Sequence, residues 1–327
     1  MSLNFAQVSV SASHVGRLKE IKQEDFDKFK KTKTIFLLSN IYSKEEYVQV
    51  LKSSWNITDY EIINFKDFDI NDYSLEKNSF AVLGGHIVEV QTKTSSYRKY
   101  FTYVEFFMFD EKDKLKEINK FKEMSQKKKD KYDILEKNRL NFARFYLLPT
   151  NDFLIDVIKK KGMDYLSNRT FNEEVFYNYK LGFLKNYFQF INDKISNNEN
   201  YWFYQEDSFT EKIADLKSKT LYVPAYLMKH LVRDEENNEK VDEKLEDYFK
   251  DYSYKYELIE DDEINNKILN NEEFYYLRYA RVNAERFIQI VNSKTGEIIY
   301  TNYKSGMSIR LKPKHIEEIS KIISKSK

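Results

Sequence analysis

Residues 33–40 read KTIFLLSN and residues 219–228 read KTLYVPAYLM. Each is a short apolar run behind a Lys-Thr pair, the pattern of a strand covered on both faces of a sheet. The chain then repeats the same order of chemistry. Glu45–Trp55 sets Tyr47, Val48, Leu51 and Trp55 near one helical face, and Asp242–Tyr252 does the same with Leu245, Tyr248, Phe249 and Tyr252. Ser43, with Glu46 three residues on, predicts a capping box at the first of these helices. Second strands begin at Tyr60-Glu61-Ile62-Ile63 and Tyr256-Glu257-Leu258-Ile259. Third strands begin at Ser79-Phe80-Ala81-Val82-Leu83 and Glu273-Phe274-Tyr275-Tyr276-Leu277. Each half ends in a hairpin. In one, Gly84–Thr92 and Tyr100–Phe109 flank Lys93–Lys99; in the other, Phe287–Val291 and Glu297–Tyr300 flank Ser293-Lys294-Thr295-Gly296. Val8–Val10 adds a candidate edge strand.

Strand-helix-strand crossovers followed by an antiparallel end predict a mixed sheet with helices packed on it. The expected fold class is therefore α/β. It comprises two related strand-helix-strand-helix-strand-hairpin domains from an internal duplication, at residues 1–110 and 218–327. Residues 111–217 read as a mainly helical connecting region. Within it, Glu111–Lys131 is lysine-rich, Asn138–Leu148 is a candidate strand and Phe153–Lys160 a helix. Phe171–Ile195 carries helical periodicity through Val175, Tyr179, Phe183, Tyr187 and Ile191 and predicts one long helix, with another over Ser208–Lys217. A short amphipathic helix over Lys314–Ser326 closes the chain.

The 327 residues carry 54 basic and 53 acidic side chains, a net charge of +1, which provides no overall attraction to nucleic acid or an anionic membrane. No run approaches the ~18 apolar residues of a membrane-spanning helix. Absence of Cys excludes disulfides, thiol nucleophiles and cysteine-held zinc. The seven glycines form no phosphate-binding loop, and no dinucleotide fingerprint, Walker loop, nucleophile elbow or zinc-protease motif is present. No metal and no cofactor is expected. Residues 233–263 hold fourteen acids against five bases, but without a calcium-loop pattern they read as a solvated helix face.

Phe5-Ala6-Gln7 has the form of a signal-peptide end, with cleavage after Ala6, so the expected address is periplasmic or secreted. Three stretches, TKTIFLLSN through SSWNITDYEIINFKDF, VFYNYKLGFLKNYFQFIN, and ILNNEEFYYLRYARVNAERFIQIVNSKTGEIIY, resemble an exported α/β protein family of Bacteroidetes-type bacteria. The resemblance spans nearly the whole chain and implies an extracytoplasmic address. It brings no activity and no catalytic residues. In element order alone the halves are also similar to small α/β domains of envelope-assembly proteins.

Candidate site residues are few. Gly84-Gly85-His86 follows a predicted strand, where α/β proteins place ligands; the glycines admit a close backbone and His86 supplies a base or ligand. The alternative is that the glycines shape a turn or bulge into the hairpin. Arg310 and His315 match the spacing of HEPN ribonucleases, but Pro313 between them breaks the helix that motif needs. The 26 Tyr and 25 Phe are densest at Tyr201-Trp202-Phe203-Tyr204 and Phe274-Tyr275-Tyr276. Exposed, such rings suit a glycan or peptide surface, and Tyr201 and Trp202 are the candidate ligand-binding pair; buried, they fill a core. The sequence thus points to a non-enzymatic binding module for an envelope protein or glycan. The alternative is a hydrolase acting near Gly84–His86 or in a crevice between the domains.

Overall fold

The computed structural model describes residues 7–14, 18–92, 96–109, 139–202, 208–231, 244–282, 285–305 and 311–327. The lysine-rich stretch, the first six residues, Arg310 and much of the acidic tract lie outside the described residues. In chain order the first part holds β1 (Val8–Val10), α1 (Gln23–Phe29), β2 (Lys33–Leu38), α2 (Lys44–Ser54), β3 (Asp59–Asn64), β4 (Asn78–Gln91), β5 (Ser96–Met108) and β6 (Leu140–Tyr146). Then come α3 (Asn151–Ile158), α4 (Met163–Asn172) and α5 (Leu181–Ser196). The rest holds β7 (Ser208–Phe209), a 3-10 turn (Glu211–Lys217), β8 (Leu221–Pro224), α6 (Tyr226–Leu231), α7 (Leu245–Phe249), β9 (Tyr256–Ile259), α8 (Asp261–Leu269), β10 (Tyr275–Val282), β11 (Glu285–Asn292), β12 (Ile298–Ser305) and α9 (Pro313–Lys325). Among these helices none is long and apolar enough to cross a membrane.

The fold is α/β, with two mixed six-stranded sheets ordered β1-β6-β5-β4-β2-β3 and β7-β12-β11-β10-β8-β9. In the first, β2 runs parallel to β3 and β4, and every other pairing is antiparallel. In the second, β8 runs parallel to β9 and β10, and the rest are antiparallel. Position for position, the order and sense of pairing agree. The interior place of β2 explains why its sequence is an unbroken apolar run: Ile35, Phe36, Leu37 and Leu38 are all buried. Ser43 and Glu46 form the expected capping box on α2. The aromatic excess fills the interior, where Phe36 meets Trp55, Phe106 and Phe188 edge-on at 5.5–6.1 Å.

Helix α5 is shared by both sheets. Each residue from Leu181 to Phe188 is buried. On one flank Phe188 packs on Phe36, and Tyr187 stacks on Phe145 at 4.3 Å. On the other, Phe183 packs on Tyr276 at 5.8 Å, and the Tyr276 hydroxyl donates to Asn186 Oδ1 at 3.0 Å. Lys185 extends its ammonium to the Ile268 carbonyl and Asn271 Oδ1, both at 2.7 Å, and so closes the end of α8. The turn between β11 and β12 presses on the same helix. There Gly296, at φ +73°, leaves no space for a Cβ against the Asn186 carbonyl.

Several elements differ from their sequence expectations. The helix expected over Phe171–Ile195 is broken between α4 and α5. Its middle pairs instead with the segment that follows β6, through Thr150 N–H to Val175 O and Tyr177 N–H to Leu148 O. Asn178 fixes the break by accepting from Leu148 N–H at 2.7 Å and donating to the Tyr187 hydroxyl at 2.9 Å. Gly84 and Gly85 make neither turn nor bulge. β4 runs straight through them in unbroken register with β5, pairing Gly84 with Tyr103 and Gly85 with Thr102. A Cβ on Gly85 would stand 2.5 Å from the Phe101 carbonyl, so the second glycine is required by the closeness of β5. β6 forms within the candidate strand Asn138–Leu148, as expected, whereas β7 arises where a helix was expected; the two extend the two sheets. The helix expected over Ser208–Lys217 is instead β7 and the 3-10 turn.

Candidate functional site

The sequence candidates gather near the seam between the sheets. Strand alternation turns His86 to the same face of the first sheet as Gly84 and, across the pair, Phe101 and Tyr103. The imidazole stacks on Phe101 at 4.8 Å, and its Nδ1 lies 3.2 Å from the Tyr103 hydroxyl. Phe101, Tyr103 and Tyr146 of the first sheet meet Ala280 and Phe287 of the second in one apolar cluster. Tyr201, Trp202 and Tyr303 pack against its margin. His86 and Trp202 therefore border the same cluster although 116 positions separate them in the chain (202 − 86).

Beneath His86 lies a buried charged network. Glu105 Oε1 accepts from Arg144 Nη2 at 2.6 Å, and Glu105 Oε2 pairs with Arg139 Nη2 at 3.1 Å. Arg144 also donates to the Tyr146 hydroxyl at 3.0 Å and lies 4.0 Å over the Tyr103 ring. His14 bonds to Ser9 Oγ at 2.7 Å, with its Nε2 3.9 Å from Glu105 Oε1. Burial first, then Arg144 and Arg139, push the His14 pKa well below its ordinary value. A neutral ring follows, so the approach to Glu105 is a dipolar contact rather than an ion pair. His86 falls to about 4, through burial and then Arg144. An imidazole with so little proton affinity is a poor general base at neutral pH. His315 caps α9, where its Nδ1 accepts from the Lys312 N–H at 2.9 Å.

A cavity of about 550 Å³ opens between the C-terminal half of α5, the β7 and 3-10 segment, and β12. Phe190, Tyr201 and Phe209 give it aromatic walls, Thr210 and Thr295 contribute hydroxyls, and Thr301 lines it with its own hydroxyl buried. Tyr201 is fixed from behind, because its backbone exchanges two 2.9 Å bonds with Val10 of β1. Its ring meets Phe190 edge-on at 4.8 Å. Burial raises its hydroxyl pKa to about 12, with Arg278 pulling the other way. Phe209 is 54% exposed, a large apolar ring presented to solvent at the rim. The cavity's two lysines are already paired, Lys212 with Glu297 at 2.5 Å and Lys194 with Glu199 at 2.5 Å.

One further row ends at this cavity with Thr301, while its other two members, Arg278 and Gln289, lie behind the wall and do not line it. Arg278, Gln289 and Thr301 are direct cross-strand neighbours on β10, β11 and β12, and Thr301 lines the cavity. Arg278 is 1% exposed; its Nε and Nη2 both donate to Gln289 Oε1, at 3.0 and 2.6 Å, and its guanidinium lies 4.4 Å over the Tyr187 ring.

Of the sequence candidates, Tyr201 lines the cavity, while His86 and Trp202 border the aromatic cluster. Gly84 and Gly85 belong to the β4–β5 ribbon. Glu105, Arg144, Arg278 and Gln289 were not singled out by the sequence reading. Their signal was a charged or amide residue inside an apolar strand, as in YVEFF, YLRYA and FIQIV. Among the described residues, no group of three or more His, Asp or Glu is placed to hold a metal ion. Compared with protein-family models, with curated proteins and with solved structures, the chain matches none.

Proposed function

We propose that the chain is a non-enzymatic binding module, exported to the periplasm or beyond, that holds a glycan in the cavity between α5, β7 and β12. The observation that carries this reading is the lining: flat aromatic walls from Phe190, Tyr201 and Phe209 beside threonine hydroxyls, with both lysines paired to carboxylates. Sugar rings present apolar faces that stack on aromatic side chains and hydroxyls that need polar partners, and this lining has both. The export part rests on Phe5-Ala6-Gln7 and on the resemblance to exported proteins. An internal duplication belongs to the same proposal and is supported by the common strand order and pairing sense of the two sheets.

The test is a thermal-shift and calorimetric screen of neutral saccharides and peptides against the full chain and its Phe209→Ala variant. Saturable saccharide binding that weakens in the variant supports the reading. Binding of peptides alone, or saccharide binding that ignores Phe209, overturns it. A hydrolase acting in the crevice between the sheets is the second reading, and its specific support is that Asp193 and Glu297 line the same cavity. That reading requires turnover of a bound saccharide, lost in Glu297→Gln or Asp193→Asn.

A further inference from the structure

The second sheet holds a buried cation without a counter-charge. No carboxylate among the described residues pairs with Arg278, and its Nη1 has no hydrogen-bond partner. The two neighbours in its row are also incomplete: Gln289 Nε2 and Thr301 Oγ1 are buried and unpartnered. An uncompensated buried charge costs several kcal/mol, and each unmade bond beside it adds to that cost. The first sheet shows the usual remedy, since Arg144 there is matched by Glu105. In the second sheet the residue directly across from the arginine is an amide, and the amide oxygen already accepts from two of the guanidinium nitrogens.

The unmet groups form a line rather than a scatter. Strands lie about 4.8 Å apart, so Arg278 and Thr301 are separated by roughly 10 Å with Gln289 between them. Thr301 is already in the cavity wall, and the cavity's Tyr201 feels the Arg278 charge. The guanidinium lies against the Tyr187 ring, and its charge offsets part of the burial that raises the Tyr187 and Tyr276 hydroxyl pKa values. The cavity's own lysines are neutralised by Glu199 and Glu297, which leaves Arg278 as the unbalanced charge behind this wall.

We propose that the ligand of the cavity carries a single carboxylate, as in a uronic acid, and that this group is received by Arg278 Nη1 and Gln289 Nε2 with Thr301 Oγ1 at the entrance. This rests on the glycan reading and adds the acidic class to it. One guanidinium, one amide N–H and one hydroxyl suit the two oxygens and single charge of a carboxylate. A phosphate monoester, with nearly two charges, would meet only one free cation here.

Thermal shifts on the full chain test this, with glucuronate, with its neutral isostere glucuronamide and with acetate, each repeated in Arg278→Met. Glucuronate at ~100 times its Kd is expected to raise the melting temperature by about 3–5 °C. Glucuronamide is expected to give a clearly smaller rise, and Arg278→Met to remove the difference. Equal responses to the acid and the amide overturn the carboxylate site and leave the glycan reading standing. A response to acetate that depends on Arg278, with silence from both sugars, upholds the carboxylate site and sinks the glycan reading. Silence from all three sinks both. Should Arg278→Met fail to fold, Gln289→Leu and Thr301→Val carry the same comparison, and full discrimination in both variants overturns the proposal.

Discussion

Glu105 and Arg144 face each other directly across the β5–β6 pair and join at 2.6 Å, with the carboxylate only 2% exposed. Removing the acid strands the buried Arg144 guanidinium and takes the Glu105 contact from Arg139 as well. Glu105→Ala is therefore expected to cost about 3–5 kcal/mol in urea unfolding. The double change Glu105→Leu with Arg144→Met, which removes the charge as well as its partner, should recover much of that loss. A single-variant cost below about 1 kcal/mol would contradict the pairing.

Acid should loosen the fold through its histidines. Burial first, and then a neighbouring arginine, lower His86 to about 4 and His315 to about 3, from an ordinary 6.5. His14 is lowered as well. The folded rings stay neutral while the unfolded chain takes up protons, so the contribution to stability is full above about pH 6.5. It is lost as pH falls toward 4 for His86 and toward 3 for His315. Melting temperature should decline across that window, and His86→Gln should make the slope shallower between pH 6.5 and 4. A flat profile in the parent chain would contradict the assignment.

Gly296 sets the turn between β11 and β12 directly against α5. Its left-handed φ and the nearness of the Asn186 carbonyl both oppose a side chain. Gly296→Ala should cost about 2–3 kcal/mol. Gly162, where a Cβ would meet nothing within 4 Å, is the control: Gly162→Ala should change stability by about 0.5 kcal/mol or less. Denaturant midpoints of the two variants decide the matter.

Phe209 separates binding from stability. Its ring is largely exposed, so Phe209→Ala should leave the unfolding midpoint within about 0.5 kcal/mol of the parent. For any sugar that the chain binds, the same change should weaken affinity ~10-fold through the lost stacking face. Unchanged affinity by calorimetry would remove Phe209 from the site.

The parts of this fold that were legible in the sequence are those governed by local rules. The strands expected from Thr34 and Thr220, each one residue from the observed start, the Ser43–Glu46 cap, the hairpin around Gly296 and the edge strand Val8–Val10 all follow from residue pattern and turn chemistry. The misread parts depend on partners far along the chain. Asn178 carries no helix-breaking signal of its own; the break comes from its bonds to residues 146, 148 and 187. Gly84-Gly85 resembles a turn locally, and only the course of β5 shows that the second glycine gives clearance within a strand. Aromatic density in the sequence marked Tyr201 of the cavity wall, while Trp202 beside it borders the neighbouring aromatic cluster. The row behind that wall was not legible, because Arg278, Gln289 and Thr301 come together only once three strands have paired.

Helix α5 bears on how the chain is made. By the time it leaves the ribosome, the sheet on one flank has been synthesised, while the strands that cover its other flank have not. The last of them, β12, follows about a hundred residues later. At ~5–20 residues per second that is an interval of roughly 5–20 s during which an apolar helix face stays bare on a nascent chain. The first sheet should therefore be the fragment that needs a chaperone's cover, and a stop codon placed after Ser196 should yield aggregate rather than a smaller working protein.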